Sequence, residues 1–484
     1  MIWRALFISL IAIPVVPAQQ PDPVVRPHEI SVRGKPLKYT TTTGLMPLRN
    51  AAGEIEANLF FIAYTLDGVA DPAKRRITFS FNGGPGSSSV WLHLGALGPK
   101  RVRMMDSGAL PAAPYTLETN SGTWLDETDL VFIDPVGTGY SRAAKPDLAK
   151  KYYSVSGDIE SVGEFIRLYL GKYQRWLSPL FLAGESYGTT RAAALSGYLA
   201  DKGIALNGVL LISTVLNFQT IRFNDGNDLP YALYLPSYTA TAWYHRKLPA
   251  DIQKDLSTAL RESEQYALTG YPQALMKGSS LTAAERSSAV AKLARLTGLA
   301  PTYIDHSDLR IEIMPFIREL RRDENIVVGR LDSRLTSTGK PGVSTEPEFD
   351  PSMSAIRPPY TAAFNQYVRT ELGYFSDTDY FVLGGGTGKW DWQTENRYAN
   401  VSEPLRLAFA KNPHMKLYIG SGYYDLATPY FAAAYTLNHL GLAPVARANV
   451  RTYQYESGHM YYIHIDSLQA MKRDVASFLQ WAAQ

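Results

Sequence analysis

Pro179-Leu-Phe-Leu-Ala-Gly-Glu-Ser-Tyr-Gly-Thr-Thr-Arg191 decides how this chain reads. An apolar run of strand type reaches Gly184, and a helix-like run follows Gly188. Between them, Gly184-Glu185-Ser186-Tyr187-Gly188 is a G-x-S-x-G, the pattern of a nucleophile elbow. Glycines two before and two after the serine let strand and helix backbones approach without Cβ clashes. Ser186 then projects above a sheet, and the Tyr187 amide lies at a helix N-terminus, ready for an oxyanion. Glycine and serine are common, so the strand–turn–helix setting carries the signal. The plainer alternative is an ordinary strand-to-helix turn.

Working outward, strand-like runs recur at Arg76–Phe81, Asp129–Asp134, Gly208–Ser213, Met415–Gly420 and Val450–Tyr455, with further strands expected from Ile30 to Leu66. Helical patterns at Asp158–Tyr173 and Thr189–Ala200 alternate with them. This βαβαβ rhythm predicts an α/β fold with a mostly parallel central sheet flanked by helices. From Val215 the pattern changes to helices at Pro230–Lys247, Ala250–Leu268, Thr282–Leu296 and Ser307–Arg322, then a polar loop over Gly329–Pro358 and a helix at Tyr360–Leu372. Strands resume afterwards. Residues 215–375 therefore read as a helical cap inserted into one core, formed by 19–214 and 376–484.

The 484 residues are 45% hydrophobic and 19% charged, the balance of a globular chain with a large core. A net charge of +3 is too even to imply a nucleic-acid partner. With no cysteine, disulfides and thiolate chemistry are excluded, and no zinc spacing or cofactor motif stands out. Arg4, the apolar run Ala5–Val16 and Val16-Pro-Ala18 form a signal-peptide pattern over residues 1–18, with cleavage expected before Gln19. Export to a periplasm or medium follows, and no later stretch is long enough for a stable membrane span. Export without cysteine suits a bacterial periplasm.

A serine nucleophile needs a base, and the base an orienting carboxylate, in the chain order serine, acid, histidine on turns after strands. Ser421-Gly-Tyr-Tyr-Asp425 and Glu456-Ser-Gly-His459 supply both, each with a glycine before the functional residue. His464 is the serious rival to His459; Asp391 and Glu456 compete with Asp425, whose plainer role is a helix N-cap. The strand ending at Phe81 runs into Asn82-Gly-Gly-Pro-Gly-Ser-Ser-Ser89. That turn has no phosphate-cradle spacing and reads better as the second half of an oxyanion hole, or as a structural turn.

Asn82-Gly-Gly-Pro-Gly-Ser-Ser-Ser89, Phe132-Ile-Asp-Pro-Val-Gly-Thr-Gly-Tyr-Ser141, Gly184–Gly188, Gly422-Tyr-Tyr-Asp-Leu-Ala-Thr-Pro429 and Ser457-Gly-His-Met460 together resemble the serine carboxypeptidase family (peptidase family S10), in a bacterial-type member. The resemblance implies an α/β-hydrolase that removes residues from peptide C-termini. It implies Ser186 as nucleophile, His459 as base and Asp425 as its orienting acid, with the amides of Gly84 and Tyr187 holding the oxyanion. Asn82 and Glu185 are implied to bind the substrate's terminal carboxylate.

Physically, a charged Glu185 would repel that carboxylate, whereas a protonated one donates to it, so Glu185 is expected to be neutral in the productive complex. Its plainer role is to cap the following helix. Three positions depart from the family pattern: Ala96 where a second glutamate is usual, Phe79-Ser-Phe81 in place of a tryptophan, and Ser87 at a usual cysteine. The partner expected is a peptide with a free C-terminal carboxylate; oligomeric state stays open. An esterase or acyltransferase on the same triad is the alternative, and a catalytically dead binding protein a third reading.

Overall fold

The computed structural model describes residues 22–342 and 344–484. The signal segment expected over residues 1–18 lies outside them. Nine strands build the main sheet in line: β1 (Val24–Val32), β2 (Lys35–Arg49), β3 (Ile55–Leu66), β4 (Ile77–Phe81), β5 (Asp129–Ile133), β6 (Leu180–Ser186), β7 (Gly208–Thr214), β8 (Lys416–Gly422) and β9 (Val450–Tyr455). Their spatial order is β1-β2-β3-β5-β4-β6-β7-β8-β9, and the short strand Arg142–Ala143 pairs beside β3 as the tenth. β1, β2, β3 and β5 pair antiparallel; from β5 to β9 every pairing is parallel.

The central strands are mostly apolar and buried because both of their faces are covered. Phe181, Ala183, Leu210 and Ile212 enter one core, while Leu180, Leu182, Val209 and Leu211 enter the other, as the two-residue period of a strand requires. The main helices are α1 (Val155–Lys172), α2 (Tyr187–Asp201), α3 (Leu229–Tyr244), α4 (Pro351–Thr370), α5 (Ser402–Lys411) and α6 (Ile465–Ala482). α4 and α6 cover the first face through Ile356, Tyr360, Leu468 and Phe478. α1, α2 and α5 cover the second through Phe165, Leu195 and Leu405. β4 has β5 on one side and β6 on the other, so the strand order reverses there, at the place where open α/β sheets form a crevice beyond their carboxyl ends.

The segment after β7 builds a separate core, in which Tyr234, Tyr238, Leu293 and Phe316 pack together and meet the main body at Leu426. The polar stretch expected as a loop over Gly329–Pro358 is more ordered than its composition suggests. Ile326–Val328 pairs antiparallel with Thr336–Thr338, and α4 begins at Pro351. Pro358 and Pro359 lie inside α4, which misplaces the helix start when prolines are read as breakers. Burial of Ile356, Tyr360, Phe364 and Tyr367 against the sheet holds this helix, since tertiary packing outweighs propensity. α4 thus packs with the main body, and the separate core is drawn mainly from Tyr231 to Val328.

A buried ion pair fastens the central helices. Arg191 on α2 donates Nε–H to Asp158 Oδ2 of α1 at 2.8 Å and Nη1–H to the Asn82 carbonyl at 2.6 Å. Both side chains are almost fully buried. Removing Asp158 leaves a buried cation without its counter-charge, so Asp158→Ala should cost about 3–5 kcal/mol in urea unfolding. Adding Arg191→Met to that variant should restore part of the loss.

Candidate active site

β6 ends where its neighbour β4 ends, with Phe81 opposite Gly184, so two turns leave the sheet side by side. The β6 turn is tight. Ser186 has φ 59° and ψ −130°, a conformation that costs a residue with a side chain on the order of 1–3 kcal/mol. A Cβ on Gly184 would lie 2.1 Å from the Gly188 carbonyl oxygen. The β4 turn touches the elbow itself, because a Cβ on Gly83 would lie 2.4 Å from the Tyr187 nitrogen. Tyr187 opens α2, so its N–H has no partner within the helix. Gly84 follows Gly83 in the touching turn and lines the same cleft as Ser186.

The acid and base turns follow β8 and β9. His459 Nδ1 and Asp425 Oδ2 are 2.7 Å apart, and Asp425 is fully buried. Ala427 N, Thr428 N and Thr428 Oγ1 donate to Asp425 at 2.7, 3.0 and 2.7 Å, which orients the carboxylate toward the ring. Burial alone would depress the His459 imidazole; the charge and hydrogen bond of Asp425 outweigh it and raise its pKa above the ordinary value. The rivals are placed elsewhere. His464 Nδ1 is 2.9 Å from Ser467 Oγ, Asp391 accepts from the Gln393 amide at 2.9 Å in an exposed turn, and Glu456 is exposed. Ser186 and His459 share the cleft lining, with no direct hydrogen bond joining them among the described residues.

Glu185 points into the same cleft and is 2% exposed. Asn82 Nδ2 and the Tyr462 hydroxyl both donate to its Oε2, at 2.7 and 2.5 Å. Asn82 is held in turn by the Leu92 amide, which donates to its Oδ1 at 3.0 Å. Burial pushes the Glu185 carboxyl up to about 7, against the opposing pull of His459 and of the two donors. Ala96 is buried outside the cleft lining, where its carbonyl accepts from Asn120 Nδ2 at 2.7 Å. Tyr462 went unread in the sequence, although it stands three residues after His459 on the same turn.

The segment between β7 and β8 reaches the site through residues 330–335. The Leu331 carbonyl accepts from the His459 amide at 2.6 Å, and the Arg330 carbonyl accepts from the Leu426 amide at 3.0 Å. Asp332 Oδ2 accepts from the Gly458 amide at 3.2 Å and is paired with Arg334. One loop is therefore stitched to both the acid turn and the base turn. The cleft holds about 710 Å³, part of it open to solvent, and Trp91, Leu331, Met353, Ile356 and Met460 give it apolar walls. Among the described residues, no group of three or more His, Asp or Glu is placed to hold a metal, and no helix is long and apolar enough to cross a membrane.

Three comparisons with known proteins bear on this geometry. Serine carboxypeptidase-like 2 of Arabidopsis thaliana is 31% identical over 155 residues, covering 31% of this chain and 33% of that one. The pheromone-processing carboxypeptidase KEX1 of Fusarium vanettenii is 27% identical over 291 residues, covering 59% and 39%. The chain thus spans two fifths or less of the length of these relatives. In fold, it is similar to the crystal structure of a prohormone-processing carboxypeptidase, Kex1, from Saccharomyces cerevisiae, with a TM-score of 0.56 over 91% of each chain at 16% identity. The family model described as serine carboxypeptidase matches residues 33–472. This α/β-hydrolase chain belongs to the serine carboxypeptidase family.

Proposed function

We propose that the protein is an exported serine carboxypeptidase that releases C-terminal residues from peptides through an acyl-enzyme. Ser186 Oγ attacks the scissile carbonyl while His459, through Nε2, takes the hydroxyl proton. Asp425 holds Nδ1 and stabilises the imidazolium. The N–H groups of Gly84 and Tyr187 receive the oxyanion. His459 then passes its proton to the departing amine, the C–N bond breaks, and water repeats the sequence on the ester. The insertion expected over 215–375 acts as a cap on this site, supported by the stitching of residues 330–335 to both turns.

The observation that carries the exopeptidase reading is Glu185. A carboxyl held by Asn82 and Tyr462 beside the nucleophile, with its pKa raised to about 7, is neutral in acid and suited to donate to a substrate carboxylate. Glu185 and His459 also face each other electrostatically: the Glu185 charge raises His459, and the His459 charge lowers Glu185. The productive form has Glu185 protonated and His459 neutral, so the two titrate as a pair and the kcat/KM profile is bell-shaped. Export is supported by the Arg4 to Ala18 pattern, and a bacterial-type origin by the absence of cysteine.

The direct test compares a blocked dipeptide bearing a free C-terminus with its C-terminal amide. The free acid should be turned over at much higher kcat/KM; equal values would remove the carboxypeptidase reading in favour of an esterase or general acyl-transfer enzyme. Because Glu185 ionises as pH rises through about 7, KM for the free acid should climb there. Glu185→Gln, neutral at every pH, should flatten that rise. Tyr462→Phe removes a donor that favours the charged form, and should move the rise to higher pH. N-terminal sequencing of protein recovered from the exporting cell should begin at Gln19; an intact Met1 would rule out cleavage.

A further inference from the structure

Arg330 is a cation in the cleft whose side chain has no hydrogen-bond or ion-pair partner among the described residues. Its side chain lines the same space as Ser186, Glu185 and His459, and it alone among the described lining residues carries a permanent positive charge. Its backbone is fixed at both ends: the amide donates to Asp350 Oδ1 at 3.0 Å, and the carbonyl accepts from Leu426. Its guanidinium makes no hydrogen bond or ion pair among the described residues, in contrast to Arg334 of the same loop, which binds Asp332. A half-buried guanidinium with its five donors unused is poised for a carboxylate that arrives with a ligand.

Its place in the cleft selects which carboxylate. The Arg330 carbonyl is bonded to Leu426 on the turn that carries Asp425, and the next carbonyl, of Leu331, to the His459 amide. Glu185 is instead held by Asn82 of the β4 turn and by Tyr462. Arg330 and Glu185 thus enter the cleft from different elements. A terminal carboxylate taken by Glu185 and Asn82 occupies the leaving-group side and leaves Arg330 for the acyl side. We propose that Arg330 is a specificity-determining residue that pairs with an acidic side chain, aspartate or glutamate, in the substrate residue just before the scissile bond. This rests on the carboxypeptidase reading for the direction of the peptide.

The test uses the full chain carrying Ser186→Ala, so that peptides bind without being consumed, and calorimetry with blocked dipeptides that have glutamate or glutamine before the same terminal residue. The glutamate peptide should bind roughly tenfold more tightly, the size of one good hydrogen-bonded charge contact. Adding Arg330→Gln should erase that ratio while leaving the glutamine peptide's affinity unchanged. Equal affinities without the second substitution, a ratio that survives it, or failure to bind either peptide would overturn the assignment. So would an equal loss on both peptides that is absent with their C-terminal amides, which would give Arg330 to the terminal carboxylate. Peptides that bind in the expected pattern but are not cleaved by the chain with Ser186 intact would sink the carboxypeptidase reading and leave the Arg330 contact standing.

Discussion

The approach of two backbones without intervening side chains sets the geometry of the whole site. The Gly83 Cα lies against the Tyr187 nitrogen, and Gly184 against the Gly188 carbonyl, with no room for a Cβ at either glycine. That contact holds the amides of the Asn82 turn beside the elbow. It also forces Ser186 into a left-handed backbone conformation, a strain that persists only because the surroundings over-determine it. Arg191 is part of those surroundings, since it bridges α1, α2 and the Asn82 carbonyl in one buried network.

Around this scaffold the cleft sorts two buried carboxylates by environment. Asp425 receives two backbone amides and a hydroxyl, besides its contact with His459. Glu185 receives two side-chain donors on a single oxygen, and burial outweighs them. Both side chains are almost fully buried, so the environments differ in the number and placement of donors. His459 is hydrogen-bonded to Asp425, and the charges of both carboxyl groups raise its pKa.

Much of the fold was legible because its signals are local or periodic. The runs Leu130–Ile133 and Val209–Ile212 are apolar, as burial on both faces demands, and the glycine turns at Gly184, Gly422 and Gly458 marked where side chains leave the sheet. The start of α4 was not legible, since Pro358 and Pro359 carry a breaker signal that packing against the sheet overrides. The roles of Tyr462 and Arg330 were hidden for another reason. Tyrosine and arginine are common surface residues, and neither position says by itself what it will face.

The amino-acid sequence by itself determined the elbow, the order of Ser186, Asp425 and His459, the glycine turn at Asn82 and the family, because backbone sterics and strand periodicity act over a few neighbouring residues. Only the tertiary structure decided that Tyr462 and Asn82 converge on one oxygen of Glu185, that residues 330–335 tie the Asp425 turn to the His459 turn, and that Arg330 enters the cleft with no side-chain partner among the described residues. Those contacts join segments far apart in the chain. Their energies depend on burial and on which groups meet, and neither quantity exists until the chain has folded.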